Sequence, residues 1–315
     1  MRACCISMSR ASKTKGITST SALSLAQGFL LFSTLIVFSS CQKLTALVRE
    51  ERKPCPAWVT ITSSPDVDKD TWSYVHLYLP HVEDSYLEER KIRTDEFNGG
   101  QVIEWTKNTD FAVVGLAGWS GEIKGLRRTE SSLENGLILI TRGRECPLAK
   151  GGAVSSTLTD DELYTYPMQM RSLFARVKFN FLGETTPGGE IAAEVDGWVD
   201  GYSIPDFTIH KGEFFCMAHN EGTDQTEARI PRQEDPDGTS YASKLRVSFY
   251  YRENVSADWQ HITDTSLGNV LTNYKYDWQK DNLDDIVINV TRKGKKVTKV
   301  EVSSGDWTAS SYLSK

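Results

Sequence analysis

Five histidines and six cysteines among 315 residues leave little material for a metal centre. His76, His81, His210, His219 and His261 are scattered, and no two stand at the i, i+4 separation of a helical zinc site. No glycine-rich loop opens a helical pattern, which excludes the phosphate cradles of nucleotide enzymes. Gly118-Trp-Ser-Gly lacks the outer spacing and the strand-to-helix context of a nucleophile elbow, and reads as a turn. Asp66-Val-Asp-Lys-Asp opens like a calcium loop, but Thr71 stands where that loop requires glycine and Leu77 where it closes on glutamate. The acid pairs Asp160-Asp161 and Asp284-Asp285 are adjacent in sequence, and nothing marks a partner carboxylate across a cleft. No catalytic constellation remains, so the expectation is a protein that is not an enzyme and carries no cofactor.

Acid is absent before Glu50, while Arg2, Arg10, Lys13 and Lys15 all precede the apolar run Phe29–Phe38. That run is shorter than the roughly 20 residues a spanning helix needs. A basic start, a short apolar core and the small residues Ser39-Ser40 make a secretory signal peptide. Cys41 follows at once, as in bacterial lipoproteins, where this cysteine becomes the mature N-terminus and its thiol takes the lipid. The plainer alternative is a cleaved signal with an incidental cysteine. Losing residues 1–40 removes four positive charges and no negative one, which takes the formal charge from −6 to −10. An acidic chain without basic clusters excludes nucleic acid as a partner.

Helical periodicity is missing too; period-two alternation takes its place. Val75, Leu77 and Leu79 oppose Trp72, Tyr74, His76 and Tyr78; Ala175, Val177, Phe179 and Phe181 oppose Arg176, Lys178 and Asn180. Leu245, Val247, Phe249 and Tyr251 alternate in the same way, as do Ile286, Ile288 and Val290 before a hairpin return over 297–302. Phe111–Ala117 and Leu137–Ile140 are short apolar strands. Asn98-Gly-Gly and Thr186-Pro-Gly-Gly read as turns, and 147–167, loose and polar, as a long loop. The pattern predicts an all-β protein of two antiparallel β-sandwich domains in tandem. The expected organisation is a lipoprotein signal peptide at 1–40, a charged lipid-anchored tether at 41–54, an N-terminal sandwich at 55–166 and a C-terminal sandwich at 167–315.

Three cysteines remain after the signal and the lipid site: Cys55, Cys146 and Cys216. Cys55 and Cys146 each precede proline, and extended X-Pro segments suit a bridge within one domain. Cys55–Cys146 is therefore the candidate disulfide, with Cys216 free and buried; three buried thiols are the alternative.

Val48-Arg-Glu-Glu-Arg-Lys-Pro-Cys-Pro-Ala-Trp, shortly after Cys41, resembles the opening of the FimB-like family of Bacteroidales fimbrial anchor subunits. Arg144-Glu-Cys-Pro-Leu, Met170-Arg-Ser-Leu-Phe-Ala-Arg-Val-Lys-Phe-Asn-Phe, Ile286-Val-Ile-Asn-Val and Gly305-Asp-Trp resemble its later landmarks, in order. The resemblance implies transthyretin-like, Greek-key sandwiches and a lipid-anchored subunit that holds a fimbria on the outer membrane. It implies fimbrial pilin subunits as partners, joined by strand addition. Two alternatives are a tip or minor adhesin subunit of the same fimbria and a surface glycan-binding lipoprotein. For the last, Trp72, Tyr74 and Tyr78 would form a stacking platform; the plainer reading packs them under a loop or second sheet.

Metabolic labelling with radioactive palmitate should mark the wild-type protein and leave Cys41→Ala unlabelled. Equal labelling of both would remove Cys41 as the lipid site.

Overall fold

The computed structural model describes residues 56–81, 86–119, 123–124, 136–159, 163–184, 189–219 and 224–312, with His81, Tyr86, Glu184, Ser311 and Tyr312 described by backbone alone. Cys41, Cys55, Asp160-Asp161 and most of the Thr186-Pro-Gly-Gly turn lie outside the described residues.

Alternation of apolar with polar residues turns the chain into strands from the first described position. In β1 (Pro56–Ser64), Ala57, Val59, Ile61 and Ser63 point inward between exposed or half-exposed neighbours. There follow β2 (Tyr74–His81), β3 (Tyr86–Arg93), β4 (Gln101–Thr106), β5 (Asp110–Ala117), β6 (Ile123–Lys124), β7 (Leu137–Leu139), β8 (Lys150–Thr157), β9 (Leu163–Gln169) and β10 (Arg171–Ser172). The second half contains β11 (Phe174–Glu184), β12 (Glu190–Ser203), β13 (Thr208–His219), β14 (Gln225–Pro231), β15 (Arg246–Arg252), β16 (Gln260–Thr265), β17 (Ile286–Lys293), β18 (Lys296–Ser304) and β19 (Trp307–Tyr312).

These strands build the same sandwich twice. In the first, β1 lies between antiparallel β4 and parallel β9, and faces a sheet in which β2 pairs with β3 and β5, and β5 with β8. In the second, β11 lies between antiparallel β14 and parallel β17, and β12 pairs with β13 and β15, and β15 with β16. Seven strands correspond one to one, in the same chain order. The second copy adds β18 beside β17 and β19 beside β18. Most pairs are antiparallel, as the alternation predicts; the two parallel pairs, β1 with β9 and β11 with β17, are what the sequence did not reveal.

The alternating faces behave as expected. Val75, Leu77 and Leu79 are buried in one core with Val59, Ile61 and Phe111. Val177, Phe179, Phe249, Ile288 and Val290 are buried in a larger core. Two expectations are corrected. Asn98-Gly-Gly closes a short helix, Thr94–Gly100, and its Asn98 side chain accepts from Ser63 Oγ (2.6 Å) and Val67 N (3.1 Å). Residues 147–167 are not one long loop, since they contain all of β8 and most of β9. Small and polar residues hide these strands from a pattern search because both lie towards a sheet edge, where one face meets water.

The run Leu137–Ile140 is a strand, but β7 pairs with Gly201–Ser203 of β12 and not with the first sandwich. The segment between β5 and β8 thus crosses to the second sandwich, and Trp119, Ile123, Ile138 and Cys146 enter its core. Gly118 makes the turn into this crossing at φ +74, where a Cβ would lie 2.1 Å from Leu148 O.

Gly118→Ala should lower stability by about 2 kcal/mol or more in urea unfolding, from strain and steric overlap together. Gly99→Ala, in the helix with open space around the new methyl, should be neutral or gain up to about 1 kcal/mol. Equal effects of the two would contradict this backbone account.

Candidate functional site

In β9 the chain runs Leu-Tyr-Thr-Tyr-Pro-Met-Gln, a strand without a charge. One side pairs with β1, from Trp58 opposite Leu163 to Ser64 opposite Gln169. The other side has no strand partner among the described residues. In the second sandwich the corresponding side of β17 holds β18 from Val287 to Lys293. Among the described residues the first copy therefore has no counterpart of the strand that the second copy supplies from its own chain.

The surroundings of this vacancy are apolar. Leu163 is 79% exposed beside Trp58 at 43%, with Val102 of β4 at 48% on the same sheet. Tyr164 and Tyr166 are half-buried on the inner side and stack with ring centroids 6.3 Å apart. Their hydroxyls donate to Thr159 O (2.9 Å) and Ser156 Oγ (3.0 Å), which fixes both rings towards the neighbouring sheet. The edge strand β3, by contrast, carries Glu88, Glu89, Arg90, Lys91 and Arg93, the charged protection expected of a strand that must not pair. Pro167 removes one donor from β9, which confines continuous pairing to Leu163–Tyr166. Among the described residues the edge strand β19 is also uncharged.

Behind β9 the chain passes from one sandwich to the other through β10. Arg232 is the centre of this junction. Its buried guanidinium donates to Ser172 O (2.7 and 3.1 Å), to Lys280 O (2.9 Å) and to Trp278 O. Burial lowers its pKa to about 10, so it stays charged at neutral pH, held by carbonyl dipoles. Tyr202 completes the set: its hydroxyl donates to Leu173 O and accepts from Arg232 N at 2.7 Å. Ser172 N donates to Asp281 O (2.7 Å), and Gln169 Nε2 to Asp281 Oδ1 (2.8 Å). Phe207, at φ +55, closes over Gly151, where a Cβ would lie 2.4 Å from its ring. A cavity of about 370 Å³ opens between Gly152, Arg171, Pro205 and Phe207.

The expected site residues fall as follows. Cys41 and Cys55 lie outside the described residues. No disulfide occurs among the described residues; Cys146 and Cys216 are buried free thiols. Cys216 Sγ donates to Arg229 O (3.7 Å), and Arg229 Nη1 donates to Cys146 O (3.1 Å). Burial raises both thiols, Cys216 to about 12, so neither is a thiolate at neutral pH. Trp72, Tyr74 and Tyr78 do not form a common platform. Trp72 donates to Leu148 O (2.7 Å), Tyr78 packs on the larger core, and Tyr74 is exposed under Lys91. Burial pushes the Tyr78 phenol up to about 12. Asp68 caps its own turn through Asp70 N (3.0 Å) and Thr71 Oγ1 (2.5 Å), which holds its carboxyl low. His76, His210, His219 and His261 each meet one carboxylate, at 2.6–2.9 Å. Among the described residues no cluster of His, Cys, Asp and Glu is arranged to hold a metal.

No family model and no curated protein sequence matches this chain. Its structure is similar to that of a candidate adhesin from Bacteroides ovatus, at 12% identity and a TM-score of 0.57, over 84% of this chain and 97% of that one. It is also similar to a candidate polysaccharide-binding protein from Bacteroides thetaiotaomicron, at 11% identity and a TM-score of 0.56, over 83% and 99%. A third is the fimbrial anchor protein Mfa2 from Porphyromonas gingivalis, at 12% identity and a TM-score of 0.51, over 82% and 100%. At these identities the likeness is one of fold.

Arg232→Met should lower unfolding stability by about 3 kcal/mol, since it leaves the carbonyls of Ser172, Trp278 and Lys280 without their buried donor. An unchanged urea midpoint would show that the junction does not depend on this clamp.

Proposed function

We propose that this chain is a lipid-anchored subunit at the base of a cell-surface fimbria, of the FimB-like anchor kind, and that it accepts a pilin strand beside β9. The vacant strand position carries the proposal. A strand entering there, antiparallel to β9 as β18 is to β17, would reproduce in the first sandwich the pairing that the second makes internally. Main-chain hydrogen bonds would supply affinity, and the exposed Leu163 and Trp58 with half-buried Tyr164 and Tyr166 would receive alternate side chains. Residues 1–40 are the proposed signal, Cys41 the lipid site and 41–54 the tether to the outer membrane. One lipid-bearing end and one strand-accepting edge make a terminal fixture: a fibre joins it, and the bilayer holds it. Resemblance to the anchor family in the opening sequence and likeness of fold to an anchor protein and an adhesin support this role.

The test is fractionation of the native bacterium after shearing. Wild-type protein should stay with the outer-membrane pellet and co-purify with fimbriae extracted from it, and Cys41→Ala should release longer fibres into the medium. A protein that never accompanies a fibre, and whose deletion leaves fimbriae unchanged, would refute the anchor role.

A further inference from the structure

The outer face of the second sandwich carries a feature that strand addition does not use. Between Gly197 and Val199 of β12 the register to β13 shifts, and Gly212 and Glu213 of β13 together stand opposite Trp198. Alternation along β12 buries Val195 and Val199 and turns Trp198 outward beside Glu194 and Asp196, and Trp198 is 46% exposed. It borders a recess of about 420 Å³ shared with Phe215, Arg142, Glu213, Asp196 and Arg246. The Arg142 guanidinium stands 5.0 Å from the Phe215 ring centroid and 3.1 Å from Glu213. Arg246 Nε donates to Asp196 Oδ2 at 3.1 Å.

We infer that this recess is a binding site for a neutral saccharide. Its three cations, with Lys244 the third, are matched by three carboxylates, with Glu194 the third. The two ion pairs leave a charged ligand only Lys244 or Glu194, each close to the opposite charge of the other groups, whereas a sugar hydroxyl can bond to a carboxylate lone pair or a guanidinium N–H with every ion pair kept. Planar bidentate groups match vicinal hydroxyls, and an exposed indole offers an apolar surface to the C–H face of a pyranose ring. The site lies on the second sandwich, away from β9, and is independent of the proposed anchor role.

Affinity electrophoresis of the purified protein through gels containing yeast mannan, xyloglucan or amylopectin, with polygalacturonate as a charged comparison, tests it. Retardation is expected in at least one neutral gel and should weaken about ten-fold in Trp198→Ala. Phe215→Leu, which keeps an apolar side chain, should weaken it less, and Tyr74→Ala on the first sandwich should leave it unchanged. No retardation in any neutral gel, retardation in polygalacturonate alone, or equal retardation of Trp198→Ala would overturn the inference. So would a Trp198→Ala protein that keeps its sugar retardation but no longer joins fimbriae, since that assigns the face to a protein partner.

Discussion

A β-strand carries hydrogen-bonding groups along both sides, and a sheet ends only where one row of them is left to water, to a guard or to a partner. Much of this molecule can be understood as an answer to that constraint. The second sandwich satisfies β17 with β18 from its own chain. Among the described residues the first stops at β9, whose own side chains carry no charge. Where the fold does guard an edge, at β3, it does so with a run of Glu, Arg and Lys. The contrast between these strands within one chain gives the vacancy beside β9 its meaning.

Such an edge can bear load only if the sandwich behind it is fixed to the rest of the protein. Among the described residues the link is made in several places. Arg232 ties the linker at Ser172 to the segment at Trp278 and Lys280. The crossing segment between β5 and β8 sends β7 onto β12. Phe207 of the second sandwich closes onto Gly151 of the first, an approach that only a residue without Cβ permits. Pull applied at β9 would pass through these contacts into the second sandwich.

Much of the architecture was legible because alternation reports a half-buried strand directly: Val75, Leu77 and Leu79, or Ile286, Ile288 and Val290, could point only one way. The candidate site was the least legible part. β8 and β9 read as loop because Gly151, Gly152, Ser155 and Thr165 meet a neighbour too closely for a side chain or face water, and neither circumstance leaves a hydrophobic period. The duplication was invisible because the two copies share strand order and pairing and not residues. Period two places Trp72, Tyr74 and Tyr78 on one face, which allows either a platform or packing under a neighbouring segment; Trp72 lies before β2 begins, turned to Leu148. Trp198 was not legible because its neighbours on the outward side of β12, Glu194 and Asp196, are charged and set no apolar pattern around it.

The most direct measurement is hydrogen–deuterium exchange of the protein, free and as extracted with its fibre. Amides of Leu163–Tyr166 that face away from β1 should exchange fast in the free protein and become protected in the fibre-bound form, while those of β17 and β18 are protected in both. If β9 exchanges equally fast in both states, no strand joins this edge and the account of the site is wrong.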